Sequence, residues 1–97
     1  MRYEILLSPE AVDDLKSMRA DVRAGVRKAI EAHLRHEPRK TSRSRIKKLR
    51  GLIRPQYRLR AGEVRVFYDV TPSAVAILAI VSKPEAEAWL AQFGNPA

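Results

Sequence analysis

Apolar positions recur every second residue at the start of the chain, where Tyr3, Ile5 and Leu7 alternate with Arg2 and Glu4. That period predicts a half-buried strand ending at Ser8. Ser8-Pro9-Glu10 then reads as a helix start: a hydroxyl cap, a proline at the first helical position, and an acid suited to the helix dipole. Ala11, Val12, Leu15 and Met18 supply one apolar face. After a break near Arg19-Ala20, with Asp21 expected to cap a second helix, Val22, Val26, Ala29, Ile30, His33 and Leu34 return at spacings of three and four. His33 and His36 fall at the helix end as capping or surface residues, and Pro38 forbids continuation. The two helices are expected to form a hairpin.

Alternation resumes over three segments, roughly 56–61, 64–70 and 74–81, with Gly62-Glu63 and Thr71-Pro72-Ser73 as turns. The last segment is apolar on both faces, the mark of a central strand. Pro84, Glu85 and Glu87 open a terminal helix that packs Trp89, Leu90 and Phe93 toward the core and stops at Gly94. The pattern implies one α+β domain over residues 1–97, ordered β-α-α-β-β-β-α. It has a mostly antiparallel four-stranded sheet, an N-terminal helix hairpin and a short C-terminal helix.

Composition sharpens this picture at one place. The 97 residues carry a net charge of +8, enough to predict attraction to a polyanion. Ten of the 19 basic residues lie between Arg39 and Arg60, a stretch without a single Asp or Glu. Its first half, Arg39 to Arg45, is too polar to bury and is expected to be a mobile loop. Arg43, Arg45, Lys47, Lys48, Arg50 and Arg54 are candidate RNA phosphate contacts. The chain has no cysteine, which excludes disulfides and thiolate metal sites and fits a reducing compartment. Neither a leader nor a membrane segment is expected, so the cytoplasm is the expected location. No metal-ligand spacing and no glycine-rich phosphate loop occurs, and no cofactor is expected.

The hairpin after residue 56 concentrates the charge further. Tyr57 and Leu59 must share a face with Val64, Val66 and Tyr68, which places both tyrosines in the core. A two-residue Gly62-Glu63 turn pairs Leu59 with Val66 and Arg60 with Arg65, while a four-residue loop pairs Arg58 with Arg65. In either register Arg65 faces another arginine, and Arg58, Arg60 and Arg65 leave the sheet on one side. Like charges directly opposite each other destabilise a sheet, so an anion is expected to sit there. Arginine's planar fork suits phosphate, and its face stacks on bases.

The ordered set Lys47-Lys48-Leu49-Arg50-Gly51, Tyr57-Arg58-Leu59-Arg60 and Val64-Arg65-Val66-Phe67-Tyr68-Asp69-Val70 resembles the RelE/ParE toxin superfamily over nearly the whole chain. The resemblance, strongest to the RelE-like branch, implies the toxin of a type II toxin-antitoxin pair. Such a toxin is a ribosome-dependent mRNA endoribonuclease that enters the ribosomal A site and blocks translation and growth. It implies catalytic roles for Arg58, Arg60 and Arg65, with Lys83 near the position of a further basic residue. It also implies a cognate acidic antitoxin similar to RelB, with operator DNA bound only through the antitoxin complex. Two positions depart from that pattern. Gln56 stands where a lysine is usual, and Trp89-Leu90 where a tyrosine is usual, so the residues that move protons are not identified. Two other readings remain open: a ParE-like inhibitor of DNA gyrase, and a basic RNA-binding module without chemistry.

Overall fold

Ser8 ends the first strand and starts the first helix, as its hydroxyl accepts the Ala11 amide at 3.1 Å. In the computed structural model, which describes residues 1–97, β1 (Glu4–Leu7) leads into α1 (Pro9–Lys16) and α2 (Ala20–Leu34). Then come β2 (Ile46–Lys48), β3 (Leu52–Arg54), β4 (Tyr57–Ala61), β5 (Val64–Val70), β6 (Ala74–Ser82), α3 (Lys83–Phe93) and β7 (Asn95–Pro96). The N-cap of α2 is Arg19 and not Asp21; no side chain caps that end, and Asp21 sits in the first turn.

The main sheet runs β1-β6-β5-β4-β2, with β1 parallel to β6 and every other pair antiparallel. The α+β class and the element order agree with the sequence reading, but the sheet has five strands where four were expected. The addition is β2, whose Lys47 and Lys48 lie on a strand instead of a loop. Three residues, two of them charged, give no visible alternation; β4 recruits them by pairing Ile46 with Leu59 and Lys47 with Arg58. The segment before it is irregular, as expected, yet closed on itself: the Ser42 hydroxyl accepts the Arg45 amide at 2.9 Å and the Ser42 amide donates to the Ile46 carbonyl. β3 and β7 form a separate two-stranded clip that ties the chain end to the turn at Gly51.

One face of the sheet meets α1 and α2. Ala11, Leu15, Val26, Ile30 and Leu34 from the helices close over Tyr57, Leu59, Val66, Tyr68, Val75, Ile77 and Ile80. The tyrosines are core, as expected: their rings stack at 5.5 Å, and the Tyr68 hydroxyl donates to the Pro38 carbonyl at 2.7 Å. β6 is central, between β1 and β5, and carries a bulge opposite Phe67 and Tyr68 where Leu78 is the extra residue. A bulge leaves backbone groups without ladder partners. Here α1 supplies them: the Ser8 hydroxyl donates to the Leu78 carbonyl at 2.9 Å, and an Asp14 carboxylate oxygen accepts the Ile80 amide at 2.9 Å.

The opposite face is only partly covered. α3 crosses it and lays Trp89 on Phe67, with ring centroids 4.9 Å apart and planes 6° from parallel. Phe67 is thereby fully buried, outside the main core. The sequence reading turned Trp89, Leu90 and Phe93 toward the core, but α3 holds no fully buried residue and Phe93 is 56% exposed. The helix ends at Gly94, where an added Cβ would stand 2.6 Å from the Leu90 carbonyl oxygen and press on Leu52. Close approach, not turn geometry, demands glycine there.

Candidate nucleic-acid interface

The β4–β5 turn determines which arginines meet. Gly62 has φ +62 and Glu63 does not have a positive φ, the arrangement of a two-residue turn with glycine first. The register that results pairs Leu59 with Val66, Arg60 with Arg65, and Arg58 with Phe67. Of the two registers the sequence allowed, the shorter turn is the one adopted. Strand alternation then sends Arg58, Arg60, Arg65 and Phe67 to the α3 side of the sheet, together with Lys47, the β2 neighbour of Arg58.

No carboxylate neutralises these guanidinium groups. The protein holds four ion pairs, and none includes Arg58, Arg60 or Arg65. Asp69, the acid on this face of β5, is committed elsewhere. One oxygen stands 3.1 Å from the Arg54 Nε and the other accepts the Gln56 amide at 2.8 Å. Glu63, the other nearby acid, is exposed in the turn. Burial holds the Arg58 guanidinium below the ordinary arginine range, and the charges of Arg65 and Arg60 add to the effect. Its Nε is buried without a hydrogen-bond acceptor.

Arg65 differs from its neighbours. It is the one buried charged residue, 8% exposed, and its Nη1 donates to the Gly62 and Val64 carbonyls at 2.9 and 3.1 Å. Part of its fork therefore braces the turn, while its positive charge stays without a counter-ion. Lys83 arrives at the same end of the sheet, since its amide donates to the Glu63 carbonyl at 2.7 Å.

The remaining sequence candidates disperse. Arg54 is held by Asp69, beside Trp89 and Phe93. Arg45 turns toward α2: its Nη1 donates to the Arg60 carbonyl at 3.1 Å, and it lines a cleft of about 300 Å³ with His33, His36 and Lys40. Lys48 lies over the Tyr57 ring at 5.6 Å, on the helix side of β2. Arg43 and Arg50 are exposed in the flanking turns. The six cations of the basic stretch thus do not form one cluster; of these, Lys47 joins the hairpin arginines. Gln56 has a different use, with its side-chain oxygen accepting the Val70 amide at 2.8 Å and tying down the end of β5.

Comparison with known proteins places this architecture. The family described as "ParE toxin of type II toxin-antitoxin system, parDE" matches residues 5–86. The chain belongs to the ParE/RelE toxin superfamily. No curated protein matches it significantly. Among solved structures, the archaeal RelE–RelB complex from Pyrococcus horikoshii OT3 is similar at 24% identity and TM-score 0.69, covering 86% of this chain and 97% of that one. The toxin-antitoxin complex RelBE2 from Mycobacterium tuberculosis is similar at 21% identity and TM-score 0.66, over 84% and 99%. The YoeB dimer from Staphylococcus aureus gives 20% identity and TM-score 0.62, over 84% and 97%. At these identities the likeness is one of fold.

Within this ParE/RelE-type domain, the arginine face can stabilise negative charge; of its two nearby acids, Asp69 is held by Arg54 and Glu63 stands exposed in the turn. Both histidines lie toward the far end of α2. Burial and the adjacent Tyr57 push the Tyr68 hydroxyl well above the usual tyrosine range, which keeps it neutral in the core. No helix is long and apolar enough to cross a membrane.

Proposed function

We propose that this toxin is a ribosome-dependent mRNA endoribonuclease, and that its hairpin arginines carry the substrate. In such a cleavage the 2′-oxygen of a ribose forms a bond to the adjacent phosphorus as the bond to the 5′-oxygen breaks. The 2′-hydroxyl proton leaves to an acceptor, and the departing oxygen gains one. Arg58 and Arg60 fit the task of holding the phosphate and stabilising its added charge. Arg65, braced by the turn, fixes the electrostatic ground beneath them, and Lys83 is the candidate donor to the departing oxygen. No side chain is assigned as the base. The observation that carries the reading is the set of three guanidinium groups gathered on one face, none of them paired with a carboxylate.

A cognate acidic antitoxin, similar to RelB, is the expected partner. Complexes of this kind are what several of the similar structures contain. An acidic segment would neutralise the same face that RNA would occupy, and operator DNA would be bound by the complex. A purified translation reaction with defined mRNA tests the proposal. Cuts in phase with codons are expected; an intact message on ribosomes exposed to the toxin would refute it.

One observation favours a second reading, inhibition of DNA gyrase: the matching family is described by the ParE toxin. Accumulation of cleaved DNA with purified gyrase, with mRNA left whole, would select it.

A further inference from the structure

The fold separates the cations of the basic stretch, yet the surface between several of them is continuous. At the end of α2 opens a cleft of about 300 Å³, in which His33 and His36 share the wall with Lys40 and Arg45. A second recess, of about 380 Å³, runs along β2 with Lys47, Lys48 and Arg50. Thr41, Ser42 and Ile46 line both, so the two form one groove. β2 is an edge strand, and Lys47 and Lys48 leave it on opposite sides, which makes the groove straddle the edge. Toward the sheet the groove reaches Lys47, the β2 neighbour of Arg58 on the arginine face.

We infer that the cleft at the end of α2 anchors a backbone phosphate of the same RNA strand whose reacting phosphate lies on the arginine face. The inference rests on the RNA reading above and extends the path of the strand past Lys47 and around the sheet edge. Three observations select such an anion. Glu37 is the one carboxylate in the lining of either recess, and it stands 3.8 Å from Lys40 on open surface, where a pair of this kind holds little. Arg45 enters none of the four ion pairs; its Nη1 donates to the Arg60 carbonyl and the rest of its fork is free. The Ser42 hydroxyl accepts the Arg45 and Ile46 amides at 2.9 and 3.3 Å, which fixes its oxygen where the two recesses join and leaves its proton to donate. A lone phosphate would need only one recess. Cations that continue through both and on to Arg58 suit a polymer with a charge at every link.

His33 and His36 are the only histidines, and both line the cleft, so their imidazole resonances report on it alone. The test titrates the full chain with a labelled 2′-O-methyl RNA dodecanucleotide, which has no 2′-hydroxyl to cut it, and separately with inorganic tripolyphosphate. The dodecanucleotide is expected to bind and to shift both imidazoles. Lys40→Gln, at an exposed position, should weaken it roughly two- to fivefold. The same variant should reduce the steepness of log affinity against log salt by about 0.7, one phosphate contact on a single strand. Lys40→Arg should restore both. Glu37→Gln should change affinity by a similar factor in the opposite direction, since it removes the carboxylate that repels the strand. If the dodecanucleotide binds with both imidazoles unmoved, or binds Lys40→Gln with the parent's affinity and salt slope, the cleft inference is wrong while the arginine face stands. If it does not bind the parent at all, the RNA reading falls and takes the cleft with it. If tripolyphosphate moves the imidazoles and the dodecanucleotide does not, the cleft takes a free polyphosphate and the inference is overturned.

Discussion

Leu59 and Arg60 are neighbours in β4, and Val66 and Arg65 are their partners in β5, yet the two pairs answer to different physics. On the helix side, Leu59 and Val66 have no exposure and sit among the residues of α1 and α2. No buried side-chain polar atom there lacks a partner; the Tyr68 hydroxyl reaches the Pro38 carbonyl. On the α3 side, Arg60 faces Arg65, Arg58 has an unsatisfied Nε, and no acid intervenes. The first surface is arranged for stability. The second gives up some stability for a concentrated charge, which in a family of toxins is the property expected of the working face.

The comparison predicts opposite signs for substitutions one residue apart. Leu59→Ala should cost about 2–5 kcal/mol, read by urea unfolding, because a fully buried side chain leaves a cavity. A loss below about 1 kcal/mol would mean that the helix face is not the core. Tyr68→Phe should cost about 1–3 kcal/mol by leaving the Pro38 carbonyl without its donor. That variant also sharpens a pH effect. Folding raises the Tyr68 pKa, so its contribution is fully present below the unfolded tyrosine value near about 10 and is lost as pH rises past it. The parent should therefore lose stability in alkali more steeply than Tyr68→Phe; equal slopes would contradict the buried hydroxyl.

On the other face the effects are smaller and one changes sign. Arg54→Ala removes the ion pair to Asp69, but the arginine is more than half exposed, and a loss of no more than about 1 kcal/mol is expected. Arg60→Gln should stabilise the fold by a few tenths to about 1 kcal/mol, since it relieves repulsion across the hairpin. A clear destabilisation by Arg60→Gln would show that its charge is compensated within the protein.

Much of this division was legible in the sequence. Alternation in 57–61 and 64–70, with Gly62-Glu63 between them, limited the register to two choices and placed the arginines on one face in both. The Ser8 cap, the central sixth strand and the stop at Gly94 were equally visible, because each depends on local chemistry. What escaped depends on contacts distant in sequence. β2 exists because β4 pairs with it; the Leu78 bulge is stable because α1 supplies Ser8 and Asp14. Asp69 shares a strand face with Arg65, and only the fold commits it to Arg54 and the Gln56 backbone amide. Phe67 reads as one apolar residue among several, and only the crossing of α3 makes it the base of an aromatic column. Nor does any spacing reveal that Arg65 folds back on its own turn.

The most direct test of the division is one double variant, Arg58→Gln with Arg60→Gln, scored for thermal stability and for growth arrest on expression. The account predicts a melting temperature equal to or above that of the parent together with loss of arrest. A folded double variant that arrests growth as strongly as the parent would contradict it.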